Sequence, residues 1–193
     1  MTTGEYLIDG VDYVDTWKIM ETFVDEGRAK SIGVSSFNQK QLERIMDVAK
    51  HKPVTNQIEL HPYFTRNELT SWCQSKGIVI TAFSSLGAID RPWAKEEDPN
   101  LLKDSAVLAI AKKHDRLPAQ VLLRYGIDRG CLVIPKSVTP KRIQENIAVF
   151  DFKLTPDDMD TLTSLNRNWT VFHLLWSTFK DHPHSPFNDE LQL

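Results

Sequence analysis

The chain has 193 residues, of which 41% are hydrophobic and 25% charged, and its formal net charge is −3 at pH 7. These values predict a single soluble globular domain with a substantial core, and the lack of a basic field argues against a nucleic-acid partner. No apolar run approaches the roughly 20 residues of a membrane-spanning helix, and the first residues lack the features of a secretory signal. Two cysteines in apolar surroundings, Cys73 and Cys131, indicate buried thiols and a reducing, cytoplasmic location.

Apolar periodicity and capping residues predict alternating helices and strands along the chain. Residues 1–14 show no clear period and are expected to be irregular. Two sequences resemble capping boxes, Asn38 with Gln41 and Thr65 with Glu68. The predicted helices cover 15–27, 38–49, 65–77, 105–114, 118–129, 139–149 and 155–165, and the predicted strands cover 31–34, 54–58, 78–83 and 131–134. This alternation predicts a parallel sheet, either open or part of a closed barrel.

The stretch 131–146 joins the last predicted strand to a helix. The apolar run 131–134 predicts a strand buried on both faces, and Thr139 and Pro140 predict the start of the helix. Lys136 lies in the connecting loop, and Arg142 lies on the first turn of the helix. A strand end, a helix N-terminus and two cations suit an anion such as a phosphate, although an ordinary surface turn would look the same.

Other polar or aromatic residues follow the remaining predicted strands. Ser35 follows the first strand, Gln57 lies near the end of the second, and Phe83 ends the third. In barrels and open α/β sheets alike, binding sites lie at these carboxyl ends. The Gln57 amide could pair with a carboxamide and the Phe83 ring could stack on a flat ligand, but a polar rim on a packed sheet is an equal alternative.

Three longer strings resemble signatures of the aldo-keto reductase superfamily: GVSSFN at 33–38, NQIELHPY at 56–63 and IPKSVTP at 134–140. DRPW at 90–93 and NRNW at 166–169 resemble its aldose reductase branch. The match is collinear from about residue 14 to the C-terminus. The resemblance implies an α/β fold over 1–193 that forms the C-terminal half of a (β/α)8 TIM barrel, with about four parallel strands, flanking helices and a substrate-loop tail at 166–193.

The resemblance also implies NADPH or NADP⁺ as the cofactor, together with its binding residues. Ser35, Ser36 and Gln57 would hold the nicotinamide carboxamide, although Ser36 stands where the family usually has Asn. Phe83 would stack on the nicotinamide ring. The pyrophosphate tunnel would be lined by Ser84, Leu86 and Asp90, and the 2′-phosphate and adenine would be surrounded by Lys136, Ser137, Val138, Thr139, Arg142, Glu145 and Asn146. The apolar substrate pocket would contain Trp93, Trp169, Phe172 and Leu174.

The implied activity is the reduction of small-molecule aldehydes and ketones to alcohols by hydride transfer. The family's catalytic Tyr, Lys, Asp and His lie on its first four strands, and the resemblance assigns none of them, nor any metal ligand, to this sequence. We therefore expect the chain alone not to reduce carbonyls at a rate near that of the family. The alternative is a non-catalytic truncated isoform or fragment, acting at most as an NADPH-binding or interaction module. The family is usually monomeric, but the open edges of a half barrel favour self-association.

Overall fold

The structure, a computed structural model, describes residues 10–172, 182 and 184–186. Helices and strands alternate through this part of the chain. The helices are α1 (Tyr13–Asp25), α2 (Gln39–Met46), α3 (Asn67–Ser75), α4 (Ser105–Lys113), α5 (Pro118–Asp128), α6 (Pro140–Ile147) and α7 (Pro156–Ser164), with one 3₁₀ turn at Leu101–Lys103. The strands are β1 (Val34–Ser35), β2 (Thr55–Glu59), β3 (Val79–Phe83) and β4 (Leu132–Val133).

The four strands form one parallel sheet in the sequential order β1-β2-β3-β4. Four parallel strands with flanking helices confirm the predicted α/β class and match the arrangement of half a (β/α)8 barrel. The register aligns one row of residues across the sheet, namely Ser35, Gln57, Thr81 and Leu132. Side chains in such a row share one face of the sheet.

The two faces of the sheet differ in burial. Ile58, Ile80 and Ala82 are fully buried and belong to the same hydrophobic cluster as Leu42 of α2 and Tyr125 of α5. The row on the opposite face is less covered, because Ser35 is exposed and Gln57 is half-buried. The core therefore lies between the sheet and its helices, while Ser35 and Gln57 in the opposite row remain at least partly exposed and Thr81 in the same row is buried.

Several predicted elements have different boundaries in the structure. The prediction that 131–134 is a strand buried on both faces is wrong: β4 has two residues, and Leu132 and Ile134 are 57% and 47% exposed. Within the described residues β4 pairs only with β3, and in the stretch 131–134 only Cys131 and Val133 contribute to the hydrophobic core. The first strand is shorter than predicted and lies later, at Val34–Ser35.

The capping predictions gave mixed results. The capping box of Asn38 and Gln41 is confirmed at α2, but Thr65 does not cap α3. That helix begins after Arg66, which adopts a left-handed conformation at φ 48° and provides no side-chain cap. Helix α1 begins at Tyr13, inside the stretch predicted to be irregular, because the Asp12 carboxylate accepts a hydrogen bond from Val14 N at 2.9 Å.

Both cysteines, Cys73 and Cys131, are free and buried as predicted. None of the described helices combines the length and the apolar character needed to cross a membrane.

Candidate cofactor site

A cleft of about 620 Å³ lies between the loop that follows β3 and the stretch from β4 into α6. More than half of the predicted cofactor-binding residues line it: Ser84, Leu86, Asp90, Lys136, Ser137, Arg142, Glu145 and Asn146. The residues from the two sides are about 50 positions apart in the sequence. The fold brings them together because β3 and β4 are adjacent parallel strands whose carboxyl ends open on the same edge.

Helix α6 presents one polar face to this cleft. Arg142, Glu145 and Asn146 recur at the three- and four-residue spacing of a single helix face. Buried Gln120 on α5 fixes the helix from behind, because its amide donates to the carbonyl oxygens of Glu145 at 3.1 Å and Ala148 at 2.8 Å. These two bonds hold the C-terminal end of α6 against α5.

The cleft carries two cations that suit an anionic ligand. Lys136 and Arg142 are both exposed, and neither forms an ion pair with a residue in the described part of the chain. An arginine that is free of a carboxylate partner can bind a phosphate through two parallel hydrogen bonds, and a lysine can add a point charge. The cleft is also lined by Leu117, the N-cap residue of α5, and by Pro118 and Ala119 in the first turn of that helix.

The loop at 84–100 is held in place by its own contacts. Ser84 adopts a left-handed conformation at φ 52°, and its carbonyl accepts a hydrogen bond from Gly87 N at 2.7 Å. Arg91 is buried, forms an ion pair with Asp98 and lies 5.5 Å from the centre of the Trp169 ring. This long segment, which has no helix or strand of its own, is therefore a fixed wall of the cleft.

A second group of predicted residues lies at the carboxyl ends of β1, β2 and β3 rather than along the cleft. Ser35 and Gln57 are paired in register, and the Ser35 hydroxyl donates to the Gln57 carbonyl at 3.0 Å. The buried Asn56 side chain, on β2, holds the loop that follows β1 by donating its amide N–H to the Phe37 carbonyl at 2.8 Å. Ser36, in the same loop, adopts a left-handed conformation at φ 59°. Residues held in sparsely populated conformations cluster at ligand sites, so the backbone of Ser36 supports its choice as a candidate ligand contact.

Three aromatic side chains meet near the end of β3. The ring centres of Phe83 and Phe172 are 5.6 Å apart, and those of Trp93 and Phe172 are also 5.6 Å apart. The indole nitrogen of Trp93 donates to the Val171 carbonyl at 2.8 Å. Phe83, Trp93 and Phe172, which we call the aromatic cluster, therefore join a predicted cofactor residue to two predicted substrate residues.

Other predicted residues lie elsewhere. Trp169 packs on Tyr63 and His61 instead of joining the aromatic cluster. Val138 is 80% exposed and Thr139 is exposed, and neither lines the cleft. Leu174 lies outside the described residues.

The sequence prediction also missed residues that line the cleft. They come from loops, from the 3₁₀ turn and from the start of α5, and are Ser85, Ala88, Ile89, Arg91, Leu102, Leu117, Pro118, Ala119, Ile134 and Pro135. Pro118 was recognisable as a helix start, but nothing local indicated that this helix end faces Lys136.

Comparison with known proteins shows the family to which the chain belongs. Residues 6–167 match the model of the aldo/keto reductase family. The chain is 49% identical over 192 residues to aldo-keto reductase family 1 member A1-A from Danio rerio, covering 95% of this chain and 59% of that protein. It is 47% identical to aldo-keto reductase family 1 member C15 from Rattus norvegicus and 46% identical to estradiol 17 beta-dehydrogenase 5 from Mus musculus, covering 97% of this chain and 58% of each relative. The chain thus spans about three fifths of the length of these relatives, and it belongs to the aldo/keto reductase family.

Proposed function

We propose that this chain forms the NADP(H)-binding part of an aldo-keto reductase, an oxidoreductase that reduces small-molecule aldehydes and ketones to alcohols. The observation that carries the proposal is the convergence of Lys136 and Arg142 on one cleft, with neither side chain paired to a described carboxylate. The curated relatives are named as reductases and, in one case, as a dehydrogenase, which supports the reaction class.

The residues present fit a dinucleotide that carries an extra phosphate. Lys136 and Arg142 would bind the 2′-phosphate at the α6 end of the site. At the strand ends, the Gln57 amide would pair with the carboxamide, and the Phe83 ring would offer a flat face to the nicotinamide. When bound, NADPH supplies the hydride for carbonyl reduction. Only NADPH and NADP⁺ carry the 2′-phosphate, so the two cations would favour them over NADH and NAD⁺.

The test is the affinity of the 193-residue chain for NADPH and NADH, measured by isothermal titration calorimetry. We expect NADPH to bind at least tenfold more tightly, because a hydrogen bond to a charged group contributes roughly 1.5–3 kcal/mol. The double variant Lys136→Met/Arg142→Met should lose this preference. Lys112→Met is the control, since Lys112 is an exposed cation in the last turn of α4 that does not line the cleft.

Equal affinity of the unmodified chain for the two cofactors, or no binding of either, would refute the proposal.

The same preparation also tests the activity of the chain alone. With NADPH and 4-nitrobenzaldehyde we expect little NADPH oxidation, because the resemblance assigns the general acid to no residue of this sequence and such an acid typically contributes ~10²–10⁴-fold to the rate. Binding without turnover would agree with an NADPH-binding module.

A further inference from the structure

Glu59, the last residue of β2, places a carboxylate in the interior of the protein. It is 3% exposed, and its register partner on β3 is Phe83, a member of the aromatic cluster. An ionised carboxylate at such a position is costly unless hydrogen-bond donors surround it. Its hydrogen-bond partners therefore show which parts of the chain this carboxylate connects.

Three donors satisfy the Glu59 carboxylate. Nε2 of buried His61 lies 2.9 Å from Oε1, within reach to donate a hydrogen bond to the carboxylate. The other two donors are the backbone N–H of Val171, at 2.8 Å, and the hydroxyl of Thr170. These two residues are more than 110 positions away in the sequence, so the carboxylate ties the segment after α7 to the end of β2.

From Thr170 and Val171 the connection continues to the aromatic cluster. The Thr170 hydroxyl, which donates to Glu59, also accepts a hydrogen bond from the backbone N–H of Phe172 at 3.1 Å. The Val171 carbonyl accepts the hydrogen bond from the Trp93 indole. Phe172 and Trp93 are thus both fixed through residues that Glu59 holds directly.

We propose that Glu59 is a positioning residue, which acts through Thr170 and Val171 to hold Phe172 and Trp93 beside Phe83. This inference rests on the proposed function, in which Phe83 faces the nicotinamide. Loss of the carboxylate would loosen the nicotinamide end of the cofactor site. The cleft around Lys136 and Arg142, which Glu59 does not line, would remain intact.

The experiment compares two probes of the full chain by calorimetry, NADPH and adenosine 2′,5′-bisphosphate, which carries the phosphate end without the nicotinamide. For Glu59→Gln and Thr170→Val we expect NADPH affinity to fall about tenfold, the usual size for a hydrogen bond to a charged group, with affinity for adenosine 2′,5′-bisphosphate within twofold of the unmodified chain. Thr170→Ser keeps the hydroxyl and should restore NADPH affinity.

Asp158→Asn is the matched control. Asp158 is also a buried carboxylate, 4% exposed, but it lies on α7 and not beside the aromatic cluster. The Asp158→Asn variant should be less stable, but the ratio of its affinity for NADPH to its affinity for adenosine 2′,5′-bisphosphate should not change. If Glu59→Gln and Thr170→Val leave the ratio unchanged, whether both ligands weaken together or neither does, the inference is wrong. If Glu59→Gln does not fold, Thr170→Val with its serine rescue decides the question. Failure of the unmodified chain to bind adenosine 2′,5′-bisphosphate would instead overturn the proposed function.

Discussion

Gly126 on α5 lies directly against Val133 on β4: a Cβ atom added at Gly126 would be 2.6 Å from Cγ1 of Val133. Cβ atoms in real proteins do not approach other atoms so closely, so this glycine allows the helix and the strand to pack together. The chain leaves β4 towards Lys136, and α5 holds α6 through Gln120. The contact therefore helps to set the distance between α5 and the stretch from β4 into α6, both of which line the cleft.

Gly126→Ala should destabilise the protein by about 1–3 kcal/mol, the usual cost of overpacking a core. This loss opposes the gain of up to ~1 kcal/mol that alanine gives over glycine within a helix. Urea unfolding followed by circular dichroism measures the net effect. Adding Val133→Ala removes the obstructing methyl groups, so the double variant should be less destabilised than the sum of the two single changes. A Gly126→Ala protein at least as stable as the unmodified chain would show that β4 can shift without cost.

Ser36→Asn should both stabilise the protein and increase its affinity for NADPH. Ser36 has φ 59°, and Asn adopts this left-handed conformation more readily than other non-glycine residues. The change should add a few tenths of a kcal/mol to the free energy of unfolding and offer a new amide to the proposed carboxamide contact. Thermal melting and NADPH titration are the measurements. Ser36→Val is the control, since a β-branched residue at positive φ should lower the melting temperature, and an Asn variant that behaves like the Val variant would contradict the prediction.

The sequence predicted several features of the fold that depend on local chemistry, although the capping box at Thr65, also a local prediction, was wrong. The alternation of helices and strands, the buried thiols and the capping box at Asn38 all follow from neighbouring residues, and the structure confirms them. Predictions that depended on distant neighbours were less accurate. Leu132 is as apolar as a central strand residue, but its burial depends on which strand lies beside β4.

The same distinction applies to the candidate site. Lys136 and Arg142 are six positions apart, so one strand–turn–helix pattern was enough to predict that they line the same cleft. Glu59, by contrast, receives two of its three donors from Thr170 and Val171, and Leu117 lines the cleft only because of how α5 packs. No short window of sequence contains either relationship, because both arise from tertiary packing.

Tyr63 should make the stability of the protein fall at alkaline pH. Burial, together with a 2.6 Å hydrogen bond from its hydroxyl to Asp104, raises the pKa of Tyr63 to about 12. The unfolded chain ionises this phenol near pH 10, so the folded state binds its proton more tightly. The stabilising contribution is complete below pH 10 and is lost as the pH rises towards 12.

Urea unfolding between pH 8.5 and 11.5 tests this dependence. Tyr63→Phe should show a shallower loss of unfolding free energy above pH 10. When tyrosine ionisation is followed by absorbance at 295 nm, the titration of this variant should lack the component that ionises at the highest pH. Tyr125→Phe is the control, because the Tyr125 hydroxyl contacts Thr163 rather than a carboxylate. Identical alkaline profiles for the unmodified chain and Tyr63→Phe would contradict the prediction.

Asp158 should make the stability of the protein fall at acid pH. Burial alone would raise its pKa, but hydrogen bonds from His114 Nε2 at 2.7 Å and Lys113 Nζ at 2.9 Å, with a further bond from the Thr155 backbone, lower the pKa of Asp158 below its usual range. The carboxylate joins α4 to the start of α7. Because the folded pKa is depressed, this contribution is fully present above the unfolded value of about 4 and is lost as the pH falls through the folded value.

Unfolding free energies measured from pH 7 down to pH 2.5 should therefore decline steeply below pH 4 in the unmodified chain. Asp158→Asn should be less stable at pH 7 by roughly 1.5–3 kcal/mol, the range for hydrogen bonds to charged groups, and should decline less steeply at low pH. Asp157→Asn is the control: Asp157 is an exposed carboxylate in the same helical turn, and its loss should change both quantities only slightly. If Asp158→Asn follows the same acid profile as the unmodified chain, another carboxylate governs acid unfolding, and the link between α4 and α7 does not depend on charge.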